Sequence, residues 1–152
     1  MPKKIIEGNK TALHDFKILE TWEAGLKLTG AEVKAVKKGQ INLKGSYITL
    51  KNNPLEVWLI NAHIAKYAPA GYSQSGYDPL RERKLLLNKK EIATIIGKKQ
   101  QKTLTLIPLL VYTSQRLIKL EIALGQGKKK FDKRESLKKR EFDIKKQRLM
   151  KK

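Results

Sequence analysis

The chain of 152 residues is long enough for one domain with an extension, and 34 Lys and Arg against 14 Asp and Glu give it a formal net charge of +20. It has no cysteine, which excludes disulfides and thiolate metal sites, and no apolar run approaches the roughly 18 residues of a membrane span. The charge favours a polyanionic partner, and RNA or DNA is the first to consider. Because the N-terminus lacks the apolar region of a signal peptide, we expect a cytoplasmic protein that does not use a membrane.

A long strand followed by a helix is predicted near the N-terminus. Apolar residues recur at even spacing over residues 16–28, which predicts one strand, bent near Gly25. Thr29 and Glu32 then form a capping box, in which the Thr29 oxygen accepts from the Glu32 amide and the Glu32 side chain reaches back. The helix that they begin is expected to end at Gly39. The apolar strand positions are Phe16, Ile18, Trp22, Ala24, Leu26 and Leu28.

Two further strands and a long loop are predicted in the middle of the chain. The strands cover residues 46–50 and 56–64, and Asn52-Asn53-Pro54 supplies the turn between them. His63 falls inside the second strand, where we expect a structural role. Residues 65–83 are rich in Gly, Pro and Ser, and a loop of that length is usually functional or mobile.

A second capping box introduces the C-terminal half of the body. Asn88 and Glu91 form the box, and isoleucines at helical spacing follow them. The helix is expected to stop at Gly97. Its apolar positions are Ile92, Ile95 and Ile96.

A strand hairpin completes the predicted body. A strand over residues 103–113 contains Pro108, which indicates a sheet edge or a bulge. Ser114-Gln115 is the expected turn, and residues 116–124 alternate cleanly between apolar and polar. At least five short strands and two or three short helices therefore predict a mainly β fold, a small closed or partly closed antiparallel barrel.

The last segment of the chain, residues 126–152, cannot build a core of its own. It holds thirteen Lys or Arg against four Asp or Glu, and its apolar residues are few and scattered. Such a segment cannot bury enough apolar surface to offset its ordering entropy, so we expect a tail that is disordered in isolation. The predicted domains are thus a body over residues 1–125 and a basic tail over 126–152.

No catalytic constellation is evident, so we predict no enzyme activity, no metal and no cofactor. Gly71 and Gly76 have the spacing of a phosphate-binding loop, but the Lys and Ser or Thr that such a loop needs do not follow. A two-metal nuclease requires several convergent carboxylates, and the body has one small cluster. That cluster consists of Glu20, Glu23 and Glu32. A metal-dependent RNA-processing enzyme is therefore disfavoured.

Short motifs occur in a specific order from about Asn9 to Met150. They are Asn9-Lys10 with His14-Asp15-Phe16, Glu23-Ala24-Gly25-Leu26, Gly30 with Glu32-Val33-Lys34, Asn61-Ala62-His63-Ile64, Asp78-Pro79 with Arg81, Arg83-Lys84-Leu85-Leu86-Leu87, Gly127-Lys128-Lys129 and Asp132-Lys133-Arg134-Glu135. Any one of them is modest, but their order and spacing resemble the SmpB family. These are the SsrA-binding, or tmRNA-binding, proteins of bacterial trans-translation.

The resemblance implies an oligonucleotide-binding-like (OB-like) β-barrel with packed helices. It implies that the protein binds the tRNA-like domain of tmRNA and delivers it to the A site of a stalled ribosome, for ribosome rescue and peptide tagging. The tail would lie beyond the small-subunit decoding centre, becoming helical in the empty mRNA channel and sensing that it is empty. We expect a monomer, with one copy per tmRNA. The alternative is a structural ribosomal or rRNA-binding protein.

The resemblance also assigns candidate residues on the body. Gly25 lets a ligand approach the backbone closely, although its role could be limited to bending the strand. Asn88 can contact RNA or act only as a helix cap, and His14 can be structural. The candidate tmRNA-binding residues are Lys10, His14, Glu23, Gly25, Arg81, Arg83, Lys84, Leu86, Asn88 and Lys89.

The tail carries a second set of candidates, which would bind the ribosome. On a helical wheel Phe131, Phe142 and Leu149 fall within about 20° of one another, and cations fill most of the remaining positions. Relatives usually have Tyr or His in place of Phe131. Phenylalanine can still stack on a base, but it lacks the polar group of those side chains. The alternative is a solvated tail with no defined pose. The candidates are Lys128, Lys129, Phe131, Asp132, Lys133, Arg134, Lys138, Arg140, Phe142, Leu149 and Met150.

Overall fold

The structure, a computed structural model, describes residues 4–52, 54–69, 75–100 and 103–128. Its elements in chain order are β1 (Lys4–Gly8), α1 (Lys10–Asp15), β2 (Phe16–Leu26), α2 (Gly30–Lys37), β3 (Ile41–Asn42), β4 (Tyr47–Lys51), β5 (Glu56–Ile60), β6 (His63–Ile64), β7 (Arg83–Leu86), α3 (Lys89–Lys99), β8 (Leu104–Ser114) and β9 (Leu117–Gly127).

Seven of these strands form one antiparallel sheet in the order β1-β8-β9-β2-β7-β5-β4, and β3 pairs with β6 beside it. The sheet curls until β4 packs against β8, which gives a partly closed, OB-like barrel. The predicted mainly β class with short helices is confirmed.

A bulge in β2 divides its apolar residues between two cores. The register shifts between Ile18 and Glu20, so one residue of β9 is opposed by two of β2. Before the bulge, Phe16 and Ile18 pack with α1 on the outer face of the sheet. After it, Ala24 and Leu26 point into the barrel. The even spacing correctly predicted one strand, but the strand serves both faces.

The barrel interior is filled from β9 and covered by the two longer helices. The inward residues predicted by alternation are all buried: Ile118, Leu120, Ile122 and Leu124. Helix α2 adds Ala35 and Val36 to this core, and α3 adds Ile95. Both helices begin at capping boxes, as predicted from Thr29 and Asn88.

Several element boundaries differ from the prediction for backbone reasons. The strand expected over 56–64 is interrupted at Asn61, whose φ of 61° cannot continue a strand, and this separates β5 from β6. Helix α3 continues through Gly97 to Lys99, because a helical glycine is costly but not forbidden. The short elements β1, β3 and α1 carried too little periodicity to be predicted.

The β8–β9 hairpin turns one residue later than expected. Ser114 pairs with Leu117, and Gln115 and Arg116 occupy the turn with φ of 52° and 68°. Two central residues with positive φ are typical of the turn whose twist matches a hairpin. Pro108 lies at a bulge in β8. Of the two alternatives predicted for this proline, a sheet edge or a bulge, the bulge is confirmed.

The body extends slightly beyond its predicted limit of residue 125. Strand β9 includes Gln126 and Gly127, and the backbone N–H of Lys128 donates to the Asp15 carbonyl at 2.9 Å. Residues 129–152, and residues 70–74 of the long predicted loop, lie outside the described part of the chain.

Candidate nucleic-acid interface

A buried ionic cluster forms behind the predicted RNA-binding segment. Glu32, in the first turn of α2, has no exposed side-chain surface. Its Oε2 accepts from Arg83 Nε at 2.9 Å and Nη2 at 2.7 Å, and from Arg81 Nε at 3.1 Å. The Tyr77 hydroxyl lies 3.1 Å from the same oxygen and 2.9 Å from the Ile64 carbonyl. The cluster therefore joins α2, β6, β7 and the segment before β7.

The electrostatics of this cluster keep Glu32 ionised. Burial by itself would raise the pKa of Glu32, but hydrogen bonds from Arg81, the Thr29 amide and Arg83 outweigh it and lower the pKa from 4.5 to about 2. Burial, with a further contribution from Glu32, raises the pKa of Tyr77. At neutral pH the cluster is a carboxylate paired with two guanidinium groups, a net charge of +1, with a protonated phenol beside it.

Arg83 differs from its predicted role as a direct RNA contact. Its side chain is fully buried, and its Nη1 donates to the Ala62 carbonyl at 2.6 Å while Nη2 also donates to the Tyr77 hydroxyl at 2.9 Å. In this conformation Arg83 offers no surface to a phosphate, and it supports the cluster instead. Arg81 lies at the edge of the cluster, with 35% of its side chain exposed.

The prediction from sequence gave Glu32 only a helix-capping role and did not include the ionic cluster. The capping role is confirmed, because Glu32 Oε1 accepts from the Thr29 amide at 3.0 Å. The second role depends on Arg83, which lies 51 residues along the chain. No local pattern in the sequence shows that contact.

An open groove of about 460 Å³ lies in front of the cluster, on the outer face of the sheet. Strands β5 and β7 form its floor, and the connection between β2 and α2 forms one side. Two predicted residues, Arg81 and Lys84, line it. The complete lining is Lys27, Leu28, Thr29, Glu56, Trp58, Arg81 and Lys84.

Gly25 and Leu86 continue this face next to the groove. They are directly paired across β2 and β7, and two positions further along the pair of strands the Lys27 amide donates to the Lys84 carbonyl at 3.0 Å. A Cβ on Gly25 would lie 3.2 Å from the Leu86 Cβ, so the glycine allows Leu86 to pack against the strand. Leu86 is nonetheless 51% exposed. The Leu86 side chain therefore presents apolar surface to solvent at this pair.

Glu23 lies two residues before Gly25 on the same strand face. It accepts a hydrogen bond from the Tyr112 hydroxyl of β8, and burial together with Glu23 raises the pKa of Tyr112. Glu23 is therefore held by a neighbour at the surface of the sheet. A contact between Glu23 and RNA stays a prediction.

Asn88 and Lys89 follow β7 after Leu87, as the N-cap and the first residue of α3. Asn88 Oδ1 accepts from the Glu91 amide at 2.8 Å, so the capping role is confirmed. Both residues are exposed. Their contact with RNA also stays a prediction, because a cap uses the side-chain oxygen and leaves the amide nitrogen for another partner.

Lys10 and His14 are not brought to the groove. Both belong to α1, which packs at the Phe16 end of β2, whereas Gly25 lies near the other end, about 30 Å away along a strand of this length. His14 Nδ1 lies 2.9 Å from the Asp15 carboxylate. Lys128, the one tail candidate that is described, donates from Nζ to the Leu13 carbonyl at 3.1 Å. The other tail candidates lie outside the described residues.

The described part of the chain contains no group of three or more His, Asp or Glu side chains placed to hold a metal ion. None of its helices is long and apolar enough to cross a membrane.

Comparison with known proteins decides the family. The family model described as SmpB protein matches residues 6–152. The chain belongs to the SmpB family. It is 47% identical over 142 residues to the SsrA-binding protein of Sulfurihydrogenibium sp., covering 93% of this chain and 91% of the relative. It is 49% identical over 148 residues to the SsrA-binding protein of Gloeothece citriformis, covering 97% and 94%.

A solved structure extends the similarity to the fold. One chain of the structure named "tmRNA-SmpB: a journey to the center of the bacterial ribosome" is 39% identical, with a TM-score of 0.65. The match covers 86% of this chain and 93% of that one. The resemblance inferred from the motifs is confirmed.

Proposed function

We propose that this protein binds the tRNA-like domain of tmRNA and delivers it to the A site of stalled ribosomes for trans-translation. The observation that carries the proposal is the assembly of Gly25, Arg81, Lys84 and Leu86 on one outer face, in a chain of the SmpB family. Relatives with nearly half of their residues identical are named SsrA-binding proteins. The protein acts by binding and positioning RNA, with no chemical step of its own.

The buried cluster suits this role because it pre-orients a cation. Arg81 is held by Glu32 on the buried side, and its remaining surface faces the groove. A guanidinium fixed in this way loses less conformational entropy when it meets a phosphate. The basic groups also lie on or beside a hydrogen-bonded sheet that forms a partly closed barrel, so they keep their spacing when folded RNA docks.

The basic tail supplies the second half of the proposal, and because β9 and its hydrogen bonds to the body extend to Lys128, it concerns the residues after Lys128. We propose that this segment binds the ribosome and becomes helical only in an mRNA channel that no mRNA occupies. Its twelve cations would enter an anionic corridor, and bound mRNA would exclude them. A footprint of about six phosphates implies a log–log salt slope near −4 to −5.

Identifying the RNA that copurifies with the full chain tests the proposal against a ribosomal protein. The expected RNA is tmRNA. Ribosomal RNA in its place, with the protein present at one copy on every ribosome, would favour the structural ribosomal protein instead.

A groove variant then localises the binding. Lys84→Ala should weaken binding of a tRNA-like-domain transcript and make its salt slope shallower by about 0.7–0.9. Lys66→Ala is the matched control, because this exposed lysine follows β6 and does not line the groove. Equal affinities for both variants in a gel-shift series would contradict the assignment. Charge reversal at Arg81 is less informative, because it would place a second carboxylate against Glu32 and damage the fold.

A further inference from the structure

We propose that the groove beside Trp58 is a binding site for a single unstacked nucleotide of RNA, with the base against the indole and the phosphates on Lys27 and Lys84. The choice of RNA as the ligand rests on the proposed function. The prediction from sequence included Lys84 but neither Trp58 nor Lys27.

Trp58 forms an aromatic wall of the groove. It lies in the middle of β5, paired on one side with Thr49 of β4 and on the other with Lys84 of β7. The Lys51 ammonium lies 4.3 Å from the ring centroid, is itself paired with Glu82 and is not part of the groove lining. Lys51 therefore lies against the indole without occupying the groove.

The indole N–H has no hydrogen-bond acceptor among the described residues, although it is buried. Leaving such a donor unpaired costs free energy, so a ligand acceptor that meets it after a small rotation of the ring would add to binding. The unpaired indole N–H therefore belongs to Trp58, the residue that lines the groove, and no hydrogen bond within the sheet satisfies it.

The remaining lining residues suit a nucleotide. Leu28 and Trp58 provide apolar surface, and Lys27 forms no ion pair with any residue that the structure describes. Lys84 Nζ lies 3.1 Å from the Glu56 carboxylate, which also lines the groove and can accept from an exocyclic amine or a ribose hydroxyl. Aromatic wall, cations and one acceptor are the combination with which proteins bind unstacked bases.

The size of the groove selects one nucleotide over a duplex. Its volume of about 460 Å³ lies in the range of about 300–1,000 Å³ that small ligands occupy. A paired stem presents phosphates but keeps its bases stacked, so it can reach the lysines and not the indole. RNA loops, in which bases are splayed out, can reach both.

Tryptophan fluorescence can report on this contact directly, because the chain has two tryptophans. Trp22→Phe leaves Trp58 as the sole emitter, and the titrants are a tRNA-like-domain transcript, a stem-loop with an unpaired loop and a fully paired duplex of the same stem. Saturation with the transcript or the stem-loop should quench Trp58 and shield it from iodide, whereas the duplex should do neither. Where Trp22→Phe unfolds the protein, 5-fluorotryptophan NMR of the unaltered chain gives the same reading from the Trp58 resonance.

Affinity measurements supply an independent test. Trp58→Ala should weaken stem-loop binding about 10-fold and duplex binding hardly at all, whereas Trp58→Phe should restore most of the loss. Lys27→Ala should weaken the binding of both the stem-loop and the duplex, because it removes a phosphate contact. An unchanged Trp58 signal at saturation, or equal loss of stem-loop and duplex binding in Trp58→Ala, would overturn the nucleotide site.

The outcomes also separate this site from the proposed function. A transcript that binds tightly while Trp58 stays silent would refute the site and leave tmRNA binding intact. A stem-loop that quenches Trp58 in a protein with no preference for the tRNA-like transcript would support the site and count against tmRNA as the ligand.

Discussion

Replacement of Glu32 by glutamine tests the claim that a buried carboxylate organises the RNA-binding face. The two side chains have the same shape, so packing is preserved. Glutamine carries no charge, however, and its amide NH₂ would point a donor at arginine donors. Arg83, which has no exposed surface, would then be buried without a counter-charge.

Two routes give a similar magnitude for the loss of stability. Removing one partner of a buried ion pair costs about 3–5 kcal/mol. Separately, a pKa lowered from 4.5 to about 2 corresponds to about 3 kcal/mol of stability at neutral pH. The two figures describe the same interaction and do not add. With a urea m-value of about 2 kcal/mol/M, the unfolding midpoint should fall by about 1.5 M.

The pH dependence has a definite sign. Because the pKa of Glu32 is lower in the folded chain than in the unfolded one, its contribution is complete above pH 4.5 and is lost as the pH falls towards 2. The difference in unfolding free energy between the wild type and Glu32→Gln should therefore shrink across that window. Urea titrations at pH 7, 4.5 and 3, followed by tryptophan emission, measure it.

Glu91→Gln is the matched control. Glu91 occupies the same capping-box position in α3 as Glu32 does in α2, but its hydrogen bonds are exposed and no arginine contacts it among the described residues. Its loss should cost about 1 kcal/mol or less. Equal destabilisation by the two variants, or a Glu32→Gln effect that does not diminish at low pH, would refute the reasoning.

Three further outcomes follow from the same geometry. A chain ending at Lys128 should bind the tRNA-like transcript with nearly unchanged affinity and fail to support peptide tagging; parallel loss of both activities would contradict the division into body and tail. Gly97→Ala should raise the unfolding free energy by about 0.5–1 kcal/mol in a thermal melt, because the position is helical and the new Cβ meets no atom within 4 Å. Gly125→Ala should lower the unfolding free energy, because the new Cβ would lie 3.1 Å from the Phe16 Cβ. A Gly125→Ala protein more stable than the Gly97→Ala protein would contradict both expectations. Tyr77→Phe should cost about 1–3 kcal/mol in urea unfolding, less than Glu32→Gln because Arg83 keeps its carboxylate; a larger loss would mean that the hydroxyl, not the ion pair, holds the cluster.

Much of the fold could be predicted because its signals are local. Alternation over residues 116–124 predicted β9, and the capping boxes at Thr29 and Asn88 predicted the starts of α2 and α3, all of which are confirmed. Each signal depends on residues two to four positions apart. The family was also within reach of the sequence, because motif order is a property of the chain itself.

The site was predicted less completely, because its contacts are distant along the chain. Burial separates Arg83 from Arg81, although the two are only two residues apart and equally basic. Trp58 lines the groove only because β5 lies beside β7, and no pattern near Trp58 indicates that pairing.

The sequence by itself determined the mainly β class, the helix starts, the uneven distribution of charge and the family. Only the tertiary structure decided that β2 would serve two faces through a bulge, that Glu32 would pair with two arginines, and which cations would face the groove. The physical reason is that periodicity and capping act between near neighbours. Burial of a charge and the shape of a groove depend instead on which strands the folded sheet places side by side.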